Sequence, residues 1–224
     1  MNLQPVVWIG ASYDDLRAFP EDVQDDFGYA LYLGQTGELS DKAKPMRGLL
    51  RDVVEIVASD PSGTYRLMYT VKLGESSTYC THSRKSLSAA AKRPKPSSSS
   101  SNDVYELRES SMKTVMIEGQ VVRTGGSNVF ADLGLPNPEE RLLKAQLMQA
   151  INAEIRRRAL TQDQASELVG LKQPELSRIA NGRGSGFSVD RLLGVLRHLG
   201  RDVEIVVSSA SGPIGELRFR ELTK

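Results

Sequence analysis

The sequence predicts an α+β unit at the N-terminus, a flexible linker, and a mainly α C-terminal domain built on two crossed helices and followed by one or two strands. Three observations carry this. Residues 161–182 space small, apolar and glycine positions as two short helices joined by a tight turn. Residues 97–101 are an unbroken serine run inside a segment too polar to bury a core. Ahead of that segment, short apolar runs alternate with turn residues around one helical stretch. The boundaries fall at 1–78, 79–111 and 112–224.

In the first unit, Val6-Val7-Trp8-Ile9 reads as a buried strand, and 14–32 as an amphipathic helix or helix pair interrupted near Pro20. Residues 53–57 and 65–73 read as strands joined by Ser59-Asp60-Pro61-Ser62-Gly63, all residues suited to a turn. The basic, proline-bearing and serine-rich stretch 79–111 reads as disordered linker.

In the last unit, 139–158 carries a helical stripe of Leu142, Leu143, Leu147, Ile151 and Ile155. Thr161 is a natural N-cap for the next helix, whose inward face is Ala165 and Val169, with Ser166 small enough for a close crossing. Gly170 supplies the turn, Pro174 sits where a helix needs no backbone donor, and Leu176 and Ile179 complete the apolar face. Ser188 caps a further helix over 189–199, which Gly200 ends. Residues 203–207 then read as a strand, with a second possible over 214–222 across Ser211-Gly212-Pro213. Such a strand suits pairing with a twofold mate, so a homodimer is expected.

What the crossed helices leave outward is Gln162, Lys172, Gln173, Glu175, Ser177 and Arg178, with Arg183 just beyond. These are side chains that hydrogen-bond base edges and phosphates, so a double-stranded DNA operator is the implied partner. The plainer reading is a helical hairpin with a solvated polar face. Seven basic against twelve acidic residues in 1–75 contrast with sixteen against thirteen in 112–224, where arginines gather at 156–158, 178, 183, 191 and 197.

A single cysteine, Cys80, excludes an internal disulfide framework, and two histidines, His82 and His198, exclude a histidine-rich metal site or a Ser-His-Asp hydrolase. No metal or cofactor is expected. No apolar run has the length of a membrane span, so a cytoplasmic, nucleoid-associated location in a bacterium is expected.

The stretch 161–182 resembles the Xre/Cro helix-turn-helix proteins, and with the lead-in Ser127-Asn128-Val129-Phe130-Ala131-Asp132-Leu133-Gly134-Leu135-Pro136 it is similar to antitoxins of the HigA type over about 112–207. The resemblance implies an autorepressor that binds its own operator as a dimer and neutralises a RelE/HigB-type toxin. Lys44-Pro45-Met46-Arg47-Gly48-Leu49, Val54-Glu55-Ile56 and Gly63-Thr64-Tyr65-Arg66-Leu67-Met68-Tyr69-Thr70-Val71 resemble, in order, phage-derived HigB-type toxins of the RelE/ParE superfamily over about 6–75. That resemblance implies a twisted sheet with two helices and cleavage of messenger RNA on the ribosome. Arg66, Tyr69, Lys44 and Arg47 are the positions that could supply part of such chemistry, as vestiges. For Arg66 the plain alternative is a strand arginine paired with a nearby acid.

After Leu73-Gly74 the toxin pattern fails, because Tyr79-Cys80-Thr81-His82-Ser83-Arg84-Lys85 is poor strand material. With ordinary codon choices for 78–95, a neighbouring frame can encode VLHAFQKKSKRGGKTPK, which resembles what the toxin family carries there. A frameshift that replaced the last toxin strand and ran on into an antitoxin beginning at Met112 is therefore expected, leaving a loosely folded, inactive remnant. The alternatives are a messenger RNA endonuclease restrained in cis by its own antitoxin, and a protein-interaction scaffold.

Overall fold

The computed structural model describes residues 3–46, 53–72, 77–86, 112–117, 119–210, 212–213, 215 and 217–221. The chain opens with strand β1 (Val6–Ile9), helices α1 (Ser12–Arg17) and α2 (Glu21–Gln35), a short β2 (Lys44–Pro45), and the long hairpin β3 (Val53–Asp60) and β4 (Gly63–Lys72). Pro20 is the N-cap of α2, where its missing N–H costs nothing, and this is why the helical stretch breaks there. The hairpin turn is held by the Asp60 carboxylate, which accepts from the Ser62 backbone N–H at 2.7 Å. Alternation decides its faces: Val54, Ile56, Ala58, Tyr65, Leu67 and Tyr69 are buried beneath α2, while Glu55, Arg66 and Met68 lie on the other side.

Strand β5 (Ser77–Ser86) follows, so the linker does not begin at 79. The backbone of 77–86 completes an antiparallel ladder with β4 and a parallel one with β1, because two strands with unfilled edges outweigh the weak β-propensity of the segment. The first unit therefore extends to 86, and the premise that it lacks its closing strand does not hold. The remainder of the expected linker, 87–111, lies outside the described residues.

The next two strands, β6 (Lys113–Ile117) and β7 (Gln120–Thr124), also correct the boundary at 112. They form a hairpin, and β7 pairs with β1, giving one sheet in the order β2-β3-β4-β5-β1-β7-β6. The hairpin caps the sheet edge that β1 would otherwise expose. It belongs to the N-terminal sheet rather than to the helical domain.

Helices α3 (Val129–Asp132), α4 (Pro138–Arg157), α5 (Gln162–Val169), α6 (Gln173–Ala180) and α7 (Val189–His198) make the C-terminal domain. Asn128 caps α3, Thr161 caps α5 and Ser188 caps α7, each through its side-chain oxygen. Leu147, Ile151, Ile179 and Leu192 belong to its core with no exposure. Residues 203–207, expected as a strand, form none: they run exposed after α7, with Val207 92% accessible. A strand needs a ladder partner, and none of the described residues pairs with this segment. The described residues of 214–222 are not in a strand either.

The two units share one core. Helix α2 is not amphipathic, as its sequence suggested, but buried along both faces beyond Glu21 and Asp22, because α3 and α4 cover the side that the sheet does not. The approach is close. A Cβ on Gly28 of α2 would stand 2.6 Å from the Phe130 ring, so only glycine fits under this ring as placed. The Tyr13 hydroxyl donates to the Asp132 carbonyl at 2.8 Å, and the Asp132 carboxylate accepts from Gly126 N–H at 3.0 Å. Burial raises the Asp132 pKa above its ordinary value, opposed by that hydrogen bond.

Candidate nucleic-acid interface

Helices α5 and α6 cross at the tight turn that their sequence requires. Thr161 accepts from the Gln164 N–H at 3.2 Å while Gln164 returns a bond to the Thr161 N–H at 2.9 Å, a reciprocal capping box. Gly170 ends α5 at φ +67°, a conformation that a side chain resists, and Pro174 stands in the first turn of α6. Leu171, Leu176 and Ile179 point inward and are buried, leaving the polar residues of the second helix outward.

The expected contact residues divide into free and engaged ones. Gln162, Lys172 and Gln173 are exposed at the starts of the two helices. Gln173 Nε2 donates to Asp163 Oδ1 at 2.9 Å, which ties α6 to α5 across the turn while leaving the amide at the surface. Ser177 is half-buried and accepts from Asn181. Glu175 does structural work: one carboxylate oxygen accepts from the Lys172 N–H at 3.1 Å and the other from Arg191 at 2.6 Å. These bonds, the backbone one foremost, hold its pKa below the ordinary value. Arg178 donates to the Ser185 carbonyl and lies 5.5 Å from the Phe187 ring centroid, so it fastens the loop after α6.

Arg183 is held from outside the domain. Its Nε and Nη2 donate to both oxygens of Asp26 on α2 at 3.0–3.1 Å, a bidentate pair in which Asp26 is 7% exposed and Arg183 45%. Lys42 approaches the same carboxylate at 3.7 Å, and its own pKa is lowered, chiefly by burial. Beside this, Arg141 of α4 bonds Asp25 and Glu21. Burial raises the Asp25 pKa even so, with Arg141 opposing. Backbone proximity locks the same seam: a Cβ on Gly182 (φ +75°) would collide with the ring of Tyr29 of α2. Tyr29 also receives a bond from Asn152 at 3.3 Å, and burial pushes its phenol up to about 12.

The clustered arginines are thus less available to phosphate than their number suggests. Arg156 pairs with Glu38, Arg157 with Glu154, and Arg158 donates to the Leu199 carbonyl. Lys172 and Arg197 stay exposed. Sequence reasoning missed Asp26 and Lys42 as partners of Arg183. The signal was present in the acidic run Glu21-Asp22 and Asp25-Asp26, opposite in sign to the C-terminal arginines.

The ribonuclease candidates do not converge. Arg66 pairs with Glu55 at 2.7 Å on one face of the sheet, whereas Tyr69 is fully buried on the other, its phenol pushed up to about 12 by burial. Lys44 is exposed on β2, and Arg47 lies outside the described residues. Among the described residues, no group of His, Cys, Asp and Glu could hold a metal ion, and no helix is long and apolar enough to cross a membrane.

Comparisons with known proteins follow this division. Residues 129–208 match a helix-turn-helix domain family, and residues 14–86 match the family of phage-derived Gp49-like proteins. A solved chain named as an XRE family transcriptional regulator is 37% identical over its full length, which covers 40% of the present chain, with a TM-score of 0.36. Comparison with curated proteins gives no match.

Proposed function

The chain belongs to the XRE family of transcriptional regulators, and from that premise we propose that it is an antitoxin-type autorepressor carrying an inactive toxin-like unit in cis. The observation that carries the reading is the exposed start of α6: Lys172, Gln173 and Pro174 lie at the surface on a helix whose other face is locked into the core. A helix so presented fits the major groove, with Gln173 suited to a base edge and Lys172 to a phosphate. Operator reading by a pair of such helices requires a dimer, and the β-branched, exposed run 203–207 is the segment we assign to it, pairing with the same run of a second copy.

Inactivity of the Gp49-like unit is supported by the separation of Arg66 and Tyr69 onto opposite faces and by the ion pair that occupies Arg66. It no longer rests on a missing strand. The frameshift remains part of the proposal: β5 is flanked on both sides, yet its sequence, Ser-Thr-Tyr-Cys-Thr-His-Ser-Arg-Lys-Ser, is far more polar than interior strands usually are. Sequencing the gene in all frames tests this, and a neighbouring frame without the toxin-like peptide rejects it.

The decisive experiment is a gel-shift titration of the full chain on the DNA upstream of its own gene. Lys172→Ala with Gln173→Ala should abolish specific binding without loss of helical signal; unchanged affinity would instead favour a protein-interaction scaffold. Arg178 is a poor test residue because it holds the 185–187 loop. In a ribosome-dependent cleavage assay we expect no messenger RNA cutting, and cutting abolished by Arg66→Ala would establish the endonuclease reading.

A further inference from the structure

We propose that the N-terminal unit restrains operator binding by occupying, with the Asp26 carboxylate, an anion site formed by Arg183 and Lys42 that would otherwise take a DNA backbone phosphate. The inference rests on the DNA-binding reading above and adds its regulation.

The observations concern one spot. Arg183 follows α6 by three residues, and its backbone N–H bonds the Arg178 carbonyl, so the loop is rigidly continuous with the helix that reads DNA. Loops flanking the recognition helix are where such domains meet the phosphate backbone. The guanidinium is 45% exposed, hence within reach of a second anion, yet its Nε and Nη2 edge is already filled by a carboxylate in the fork geometry that a phosphate would adopt. Lys42, 3.7 Å from the same carboxylate, makes the site a two-cation cradle assembled from both units.

Masking prevails over positioning because Asp26 does not act alone. Glu21, Asp22 and Asp25 precede it within two turns of α2, and Glu21 and Asp22 are exposed. A phosphate arriving at Arg183 meets a net acidic helix end, with Arg141 already spent on Glu21 and Asp25. The docked unit therefore both neutralises a phosphate contact and repels the backbone. Loss of the carboxylate frees both cations.

The test uses the full chain and the upstream DNA of its own gene, titrated over a series of salt concentrations. Asp26→Asn should bind roughly three- to tenfold more tightly near 0.1 M salt, with the log–log salt slope steeper by about 0.9, the value for one added phosphate contact. Arg183→Met should change affinity little in the native chain and cancel the gain in the Asp26→Asn background. Trp8 fluorescence and helical circular dichroism report folding. If Asp26→Asn fails to fold, the salt slope of Glu21→Gln with Asp22→Asn, both exposed, is read instead and should show tighter binding. Unchanged or weaker binding of the folded Asp26→Asn chain overturns the proposal, as does a gain that survives Arg183→Met. Absence of specific binding by the unmodified chain would refute the underlying DNA reading instead.

Discussion

Phe130→Ala tests whether the two units fold as one. Phe130 is 3% exposed, with its ring packed over Gly28 of α2 and its backbone in α3, so it belongs to both units at once. Replacing a buried phenylalanine by alanine costs about 3–5 kcal/mol, and the site cannot readily collapse because α2 is wedged between the sheet and α4. At a urea dependence of about 2 kcal/mol per molar, the midpoint should fall by roughly 2 M. Two probes separate the units: Trp8, the sole tryptophan, is fully buried in β1, whereas most of the helical signal comes from the C-terminal domain. Both transitions should coincide in the native chain and shift together in the variant. A helical transition that moves while the Trp8 transition stays in place would refute the shared core.

Asp132 has a folded pKa above its ordinary 3.8, so the folded chain holds that proton more tightly than the unfolded one; its contribution is fully present below 3.8 and is lost as pH rises through the raised value. Asp132→Asn, which keeps an acceptor for Gly126, should therefore gain stability relative to the native chain between acid and neutral pH, as read from urea midpoints; a constant difference would reject the assignment. Thr161→Ala removes one half of the α5 capping box and should cost about 1 kcal/mol by the same measurement. Ile205→Pro removes a ladder donor from the run assigned to dimerisation, so sedimentation should show a monomer and operator affinity should drop by at least about tenfold. A dimer unaltered by this change would exclude pairing through 203–207.

Local chemistry alone determined much of this protein. Thr161, Gly170, Pro174 and Ser188 fix where helices start and turn through bonds within a few residues, and the alternation of β3 and β4 fixes which side faces inward; such features are legible because their causes lie nearby in sequence. The exposed start of α6 was legible for the same reason. Tertiary structure decided what depends on distant partners. A weak strand sequence at 77–86 becomes interior because β1 and β4 both present edges to it, whereas the stronger strand sequence at 203–207 forms no ladder because none among the described residues presents it an edge. Likewise, the acidic run at 21–26 shows that a cation is wanted but not which one: Asp26 grips Arg183, 157 positions away, only once α2 has docked on α4. Residues bonded to neighbours were read from the sequence; residues bonded across the fold were assigned by the packing of the two units.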